Sequence, residues 1–143
     1  MSETDLPTLI RSMSPRLQPG VFVFVSTNAA HEGVRPIMTF RETEGMTLIV
    51  PQDQAAAAGL RATFPSRMIT LEIASSLAAV GFLAAITTEL AKAGIAVNPV
   101  SAFHHDHLFV PEARAEAAMT ILQAMASGSG KPRLQRFGLQ TPI

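Results

Sequence analysis

The sequence predicts an α+β fold: two small ferredoxin-like subdomains with antiparallel sheets, the first lacking one helix between its first two strands. Three observations carry this reading. Strand-like runs alternate with helical patterns and short hairpin turns along the chain. An internal repeat is present: Thr47-Leu48-Ile49-Val50-Pro51 matches His107-Leu108-Phe109-Val110-Pro111, and an Ala-rich helical segment follows each. Upstream, the strand at Val21 matches the strand at Met68, but the second half carries one helix more between its matching segments. That second half is a strand–helix–hairpin–helix unit, to which one more strand would complete a ferredoxin-like fold.

Each element has a local reason. Leu6, Leu9, Ile10 and Met13 fall at helical spacing within residues 1–13, and Ser14-Pro15 and Pro19-Gly20 close that segment. Val21 to Val25 is a continuous β-branched and aromatic run, which suits a strand buried on both faces. Ser26 to Gly33 reads as a loop. Ile37–Phe40 and Met46–Val50 are strands joined by a turn with Gly45 at its end. Gln52 to Ala58 is a short helix stopped by Gly59.

Met68 to Ile73 alternates as a strand does, and a loop from Ser75 to Gly81 follows. Phe82 to Ala93 is a helix with Phe82, Leu83, Ile86 and Leu90 on one face, ended by Gly94. Ile95 to Ala102 is a strand interrupted by Asn98-Pro99, hence bulged or at an edge. His107–Val110 is a strand, and Glu112–Met125 a helix burying Ala115, Met119, Leu122 and Met125. The domain reading is 1–62, 63–126, and a flexible tail from 127 to 143 introduced by Ser127-Gly128-Ser129-Gly130.

Composition narrows the function classes. The chain has 143 residues, 48% hydrophobic and only 15% charged, so it can bury a core and is not disordered. So few charges, spread over two undersized half-sheets, favour self-association. Net charge is +0, leaving no basic excess to neutralise a nucleic acid. With no Cys there is no disulfide, thiol nucleophile or thiolate-held metal. Glu3 and Asp5 stand where a signal peptide would be basic, and the longest uncharged run, Ile73 to Thr88, is shorter than the roughly 20 residues of a membrane span. The expectation is a soluble cytoplasmic protein with no membrane partner and no cofactor.

The glycines do not form a dinucleotide fingerprint, and no phosphate-binding loop or nucleophile elbow is present. The densest polar cluster is His104-His105-Asp106-His107. On an extended strand His105 and His107 share one face and His104 and Asp106 the other, so all four converge only if the turn curls them. Three roles suit the cluster: structural capping, contact with a small molecule, or a metal site, since imidazole is a common metal ligand. Glu42 and Glu44 flank a hairpin turn and read first as solvated charges. A triad of Ser75 or Ser76 with a His of the cluster and Asp106 has no support in spacing.

Residues 75–86, together with Leu90-Ala91-Lys92-Ala93-Gly94-Ile95-Ala96-Val97-Asn98, resemble an ACT domain: a strand, a loop ending in Gly, a helix, then Leu-Ala-x-x-Gly-Ile and a strand. With residues 39–50 and 104–111 added, the chain resembles an uncharacterised bacterial family of tandem-ACT proteins from about Leu6 to Met125. The resemblance implies a regulatory or sensor protein, not an enzyme, that binds an amino acid or similar small metabolite at an interface between paired domains, and a homodimer. It places the ligand near Leu77, Ala78, Ala79, Val80 and Gly81 and near the strand of Asn98. Backbone N–H groups at a helix N-terminus suit a carboxylate, Gly81 permits close approach, and Asn98 both donates and accepts. Many amino-acid-binding ACT domains have an Asp before that Gly. Here Asp106 or Glu44 would supply the acid, with His104 and His107 beside it. The alternatives are a ligand-free dimerisation scaffold and a metal-dependent enzyme using the His-Asp-His turn.

Overall fold

In the computed structural model the described residues are 5–73 and 77–128. Helix α1 (Leu6–Ser12) begins at Asp5, whose carboxylate accepts hydrogen bonds from the Thr8 amide and hydroxyl, and Pro7 sits in the first turn where its missing N–H is harmless. Then come β1 (Ser14–Leu17), β2 (Phe22–Thr27), β3 (Met38–Glu42), β4 (Gly45–Pro51), α2 (Gln52–Ala57), β5 (Thr63–Glu72), α3 (Phe82–Lys92), β6 (Asn98–Ser101), β7 (Asp106–Pro111) and α4 (Ala115–Ala126). A single 3₁₀ turn, Glu112–Arg114, leads into α4.

The strands form one seven-stranded sheet in the order β3-β4-β2-β5-β7-β6, with β1 also pairing β5, and every pairing is antiparallel. The central strand β5 serves both subdomains. Its first residues, Thr63 and Ser66, pair with β2 and close the first unit as a fourth strand. Its later residues, Ile69 to Glu72, pair with β1 and open the second unit. The strand that the second half lacks in sequence order is thus β1, supplied from the N-terminus. Both units then share the ferredoxin-like strand order, and the first has only the loop 28–37 where the second has α3.

Two expectations change here. Ser14-Pro15 does not end the ordered segment but begins β1, where Pro15 faces Leu71. The central strand starts at Thr63, before Met68, through a bulge between Phe22 and Phe24 of its partner. In that bulge Phe64 has φ +59, a costly conformation for a non-glycine residue. The turn sets the Phe64 ring 5.7 Å from Phe24, edge to face. Pro99 lies on edge strand β6, where a missing N–H breaks no ladder.

The two sheet faces differ. On one, α1, α3 and α4 pack Leu9, Phe82, Ile86, Leu90, Ala118 and Leu122 against Ile69, Leu71, Leu108 and Val110. Full burial of such side chains contributes about 1.5–3 kcal/mol each. On the same face α2 adds Ala55 to Val23, Val25, Leu48 and Val50. Among the described residues the other face carries no helix. It holds an aromatic cluster of Phe22, Ile49 and Phe109, covered by Phe24, Met38, Phe64, Met68 and Val100. Among the described residues no helix is long and apolar enough to cross a membrane. The tail reading falls, beyond Gly128, outside the described residues.

Candidate functional site

Strand β5 ends at Glu72 beside the start of β7, where Leu71 pairs with Asp106. The segment after β5 and the β6–β7 turn therefore leave the sheet at the same end. Residues Leu77 to Gly81 lead there into α3. Gly81 is the residue before that helix and has φ +90, so a side chain at this position strains the backbone. A Cβ on Gly81 would meet only Leu6 at 3.6 Å, an ordinary contact. The requirement for glycine is conformational and not steric. Ser75 and Ser76 lie outside the described residues.

Across the end of the sheet, Ser101 faces Asp106 and its hydroxyl donates to Asp106 Oδ1. The Ala102 amide closes the turn by donating to the His105 carbonyl at 3.0 Å. The Phe103 and His104 rings meet edge to face at 5.0 Å. Three large apolar side chains are left exposed at this end: Leu77 at 68%, Val80 at 84% and Phe103 at 76%. Such a concentration on the two segments that meet there marks a surface suited to a partner.

The structure gathers only part of the expected set. Leu77, Ala78, Ala79, Val80, Gly81, His104 and Asp106 share one end of the sheet. His107 follows Asp106 and so points to the opposite face, where its Nδ1 lies 3.0 Å from Thr70 Oγ1. Thr70 Oγ1 also accepts from Gln18 Nε2 at 3.0 Å, so this hydroxyl links Gln18 to the His107 ring. Burial holds the His107 pKa below its ordinary value, and the neighbouring His105 adds to this against Asp106. Asn98 pairs with Phe109, three residues along β6 from the Ser101–Asp106 row. Glu44 sits in the β3–β4 turn, at the opposite corner of the sheet.

One residue of the histidine cluster that was not among the expected ligand contacts comes forward. His105 Nδ1 is buried with no hydrogen-bond partner, an uncommon state for a polar atom. Its ring lies 6.3 Å from His104 and 6.4 Å from His107. Strand alternation ties it to His107, and the two rings are neighbours. Among the described residues no three His, Asp or Glu side chains converge as a metal would require.

An ACT domain family model matches residues 1–67 and a second matches residues 63–124, overlapping on the first residues of β5. A Vibrio cholerae protein of unknown function, described as a possible transport protein, is 40% identical over 85% of this chain and 95% of its own, with a TM-score of 0.78. An Agrobacterium tumefaciens protein is 17% identical over 80% of this chain and 89% of its own, TM-score 0.65. The ligand-free regulatory subunit of aspartate kinase from Thermus thermophilus is similar in fold, with 12% identity over 85% of this chain and 99% of its own, TM-score 0.59. No curated protein sequence matches. The shared central strand, the common strand order of both halves and these matches agree: the chain belongs to the ACT-domain family and carries two ACT units in tandem.

Proposed function

We propose that this is a regulatory or sensor protein that binds an amino acid or similar small metabolite at an ACT-type interface completed by a second chain. ACT domains are typically regulatory and non-catalytic, and aspartate kinase regulatory units share this fold, which supports the class of function. The observation that carries the reading is the meeting, at one end of the sheet, of the segment before α3, the β6–β7 turn with its orphaned His105 nitrogen, and an exposed apolar cluster.

In this reading the ligand carboxylate meets backbone N–H groups around Ala79 to Phe82, where the dipole of α3 favours an anion. Asp106 takes the ammonium group through its second oxygen while Ser101 holds the first. His104 and His105 line the same end. His107 acts behind it, as a support through Thr70 and not as a contact, and Asn98 and Glu44 lie away from this site. The test is a thermal melt in the presence of each of the twenty amino acids. A ligand at 100 times its Kd adds about 2.7 kcal/mol of stability. At least one amino acid should raise the Tm. A full set of unmoved melts with a persistent dimer would leave the ligand-free scaffold as the function.

A further inference from the structure

We infer that the first subdomain holds a separate ligand site, for a small carboxylate with a compact apolar body and no ammonium group, in the cleft left by the helix that this unit lacks. The site stands apart from the one proposed above, on the helix-bearing face at the far end of the sheet.

The cleft encloses about 490 Å³, within the range of roughly 300–1,000 Å³ usual for small-molecule sites. Its floor is apolar, made by Leu48 and Met46 of β4 and by Val34. Its wall is the loop 27–36, and that loop is tied down. Thr27 Oγ1 lies 3.0 Å from His31 Nε2, and the Val34 amide donates to the His31 carbonyl at 3.3 Å. The Arg35 amide donates to Gln54 Oε1 of α2 at 2.7 Å, and the Ile37 amide to the Ile49 carbonyl at 2.8 Å. The cleft is therefore preformed, and the ordering cost of binding is reduced.

Gly45 fits the same design. Its φ is +154, and a Cβ there would come within 3.0 Å of Ser26 Oγ and 3.2 Å of Asn28 Oδ1. The absence of a side chain lets the Asn28 amide rest over the start of β4, at the lip of the cleft.

Charge selects the ligand class. Arg41 pairs with Met46 and so shares its face, lines the cleft and makes no ion pair among the described residues. Its planar guanidinium suits a carboxylate. The one acid among the described residues of the lining, Glu42, accepts from Thr47 Oγ1 at 2.6 Å, and strand alternation turns it from Arg41 to the opposite face. No acidic group of that lining shares the face of Arg41, Met46 and Leu48 to meet an ammonium ion there, so an oxo acid fits that face better than the amino acid of the same skeleton.

The test is calorimetry on the full chain with two probes that share a carbon skeleton, 4-methyl-2-oxopentanoate and leucine. The oxo acid should bind saturably. Arg41→Gln should weaken it by tenfold or more, Ala30→Trp should abolish it by filling the cleft, and Arg35→Gln, which changes charge on the same loop outside the lining, should leave it unaltered. No saturable binding of the oxo acid overturns the inference, as does binding indifferent to Arg41→Gln. Arg41-dependent binding of leucine at equal strength overturns the ligand class. Because Arg41 lies far from Asp106, failure here leaves the amino-acid site standing, and the reverse also holds.

Discussion

Asp106 and His107 are adjacent in sequence and serve opposite faces of the sheet. Asp106 points with Leu71 toward the helix-bearing side, held by Ser101, whereas His107 joins the Gln18–Thr70 chain on the other. Loss of one charge-assisted hydrogen bond costs about 1.5–3 kcal/mol, so Asp106→Ala should weaken amino-acid binding by roughly 10- to 150-fold with the fold intact. Calorimetry on the folded variant decides this, and unchanged affinity would make the turn purely structural. His107 makes a different prediction. Its folded pKa is depressed, so the unfolded chain binds the proton more readily, and stability falls as pH drops below the ordinary value of 6.5. Urea melts between pH 7.5 and 5 should show that decline, and His107→Gln should flatten it. The histidine cluster was legible as polar residues on a turn. Which nitrogen would be left unpaired was not, because that depends on the Ala102–His105 closure and on strand alternation beyond it.

At the scale of elements, the hairpin β3–β4, helices α2, α3 and α4, and the strand pair β6–β7 are all readable from apolar period, turn glycines and an internal repeat. Strand β1 is not. Ser-Pro looks like a terminator, and only pairing with Ile69 to Glu72, a partner more than fifty residues away, gives it strand geometry. The bulge that lengthens β5 back to Thr63 escapes the sequence for a similar reason, since a phenylalanine at φ +59 defies local propensity and is held by the Phe24 ring. A consequence is that the N-terminal segment supports the C-terminal unit. Leu9 of α1 is fully buried in the core of α3, α4 and β5. Leu9→Ala should destabilise the protein by about 2–5 kcal/mol, as a cavity in a packed core does. A urea midpoint unmoved by this change would mean that α1 only rests on the surface.

The whole molecule is one sheet built from two units that exchange strands across its middle, so neither half closes without the other. Two features of that design remain open to partners, the apolar end at Leu77, Val80 and Phe103 and the cleft beneath loop 27–36. A dimer of the 15.2 kDa chain is expected by sedimentation at micromolar concentration, and Val80→Ser with Phe103→Ser should shift it toward monomer. A wild-type monomer would contradict the shared-interface site. The central claim, that a small ligand binds at the end of the sheet where β5 and β7 meet, is tested most directly by a ¹H–¹⁵N NMR titration of the full chain with the amino acid that raises its Tm. The amides that shift should cluster at residues 77–83 and 102–106. Shifts confined to other parts of the sheet, with these segments silent, would contradict it.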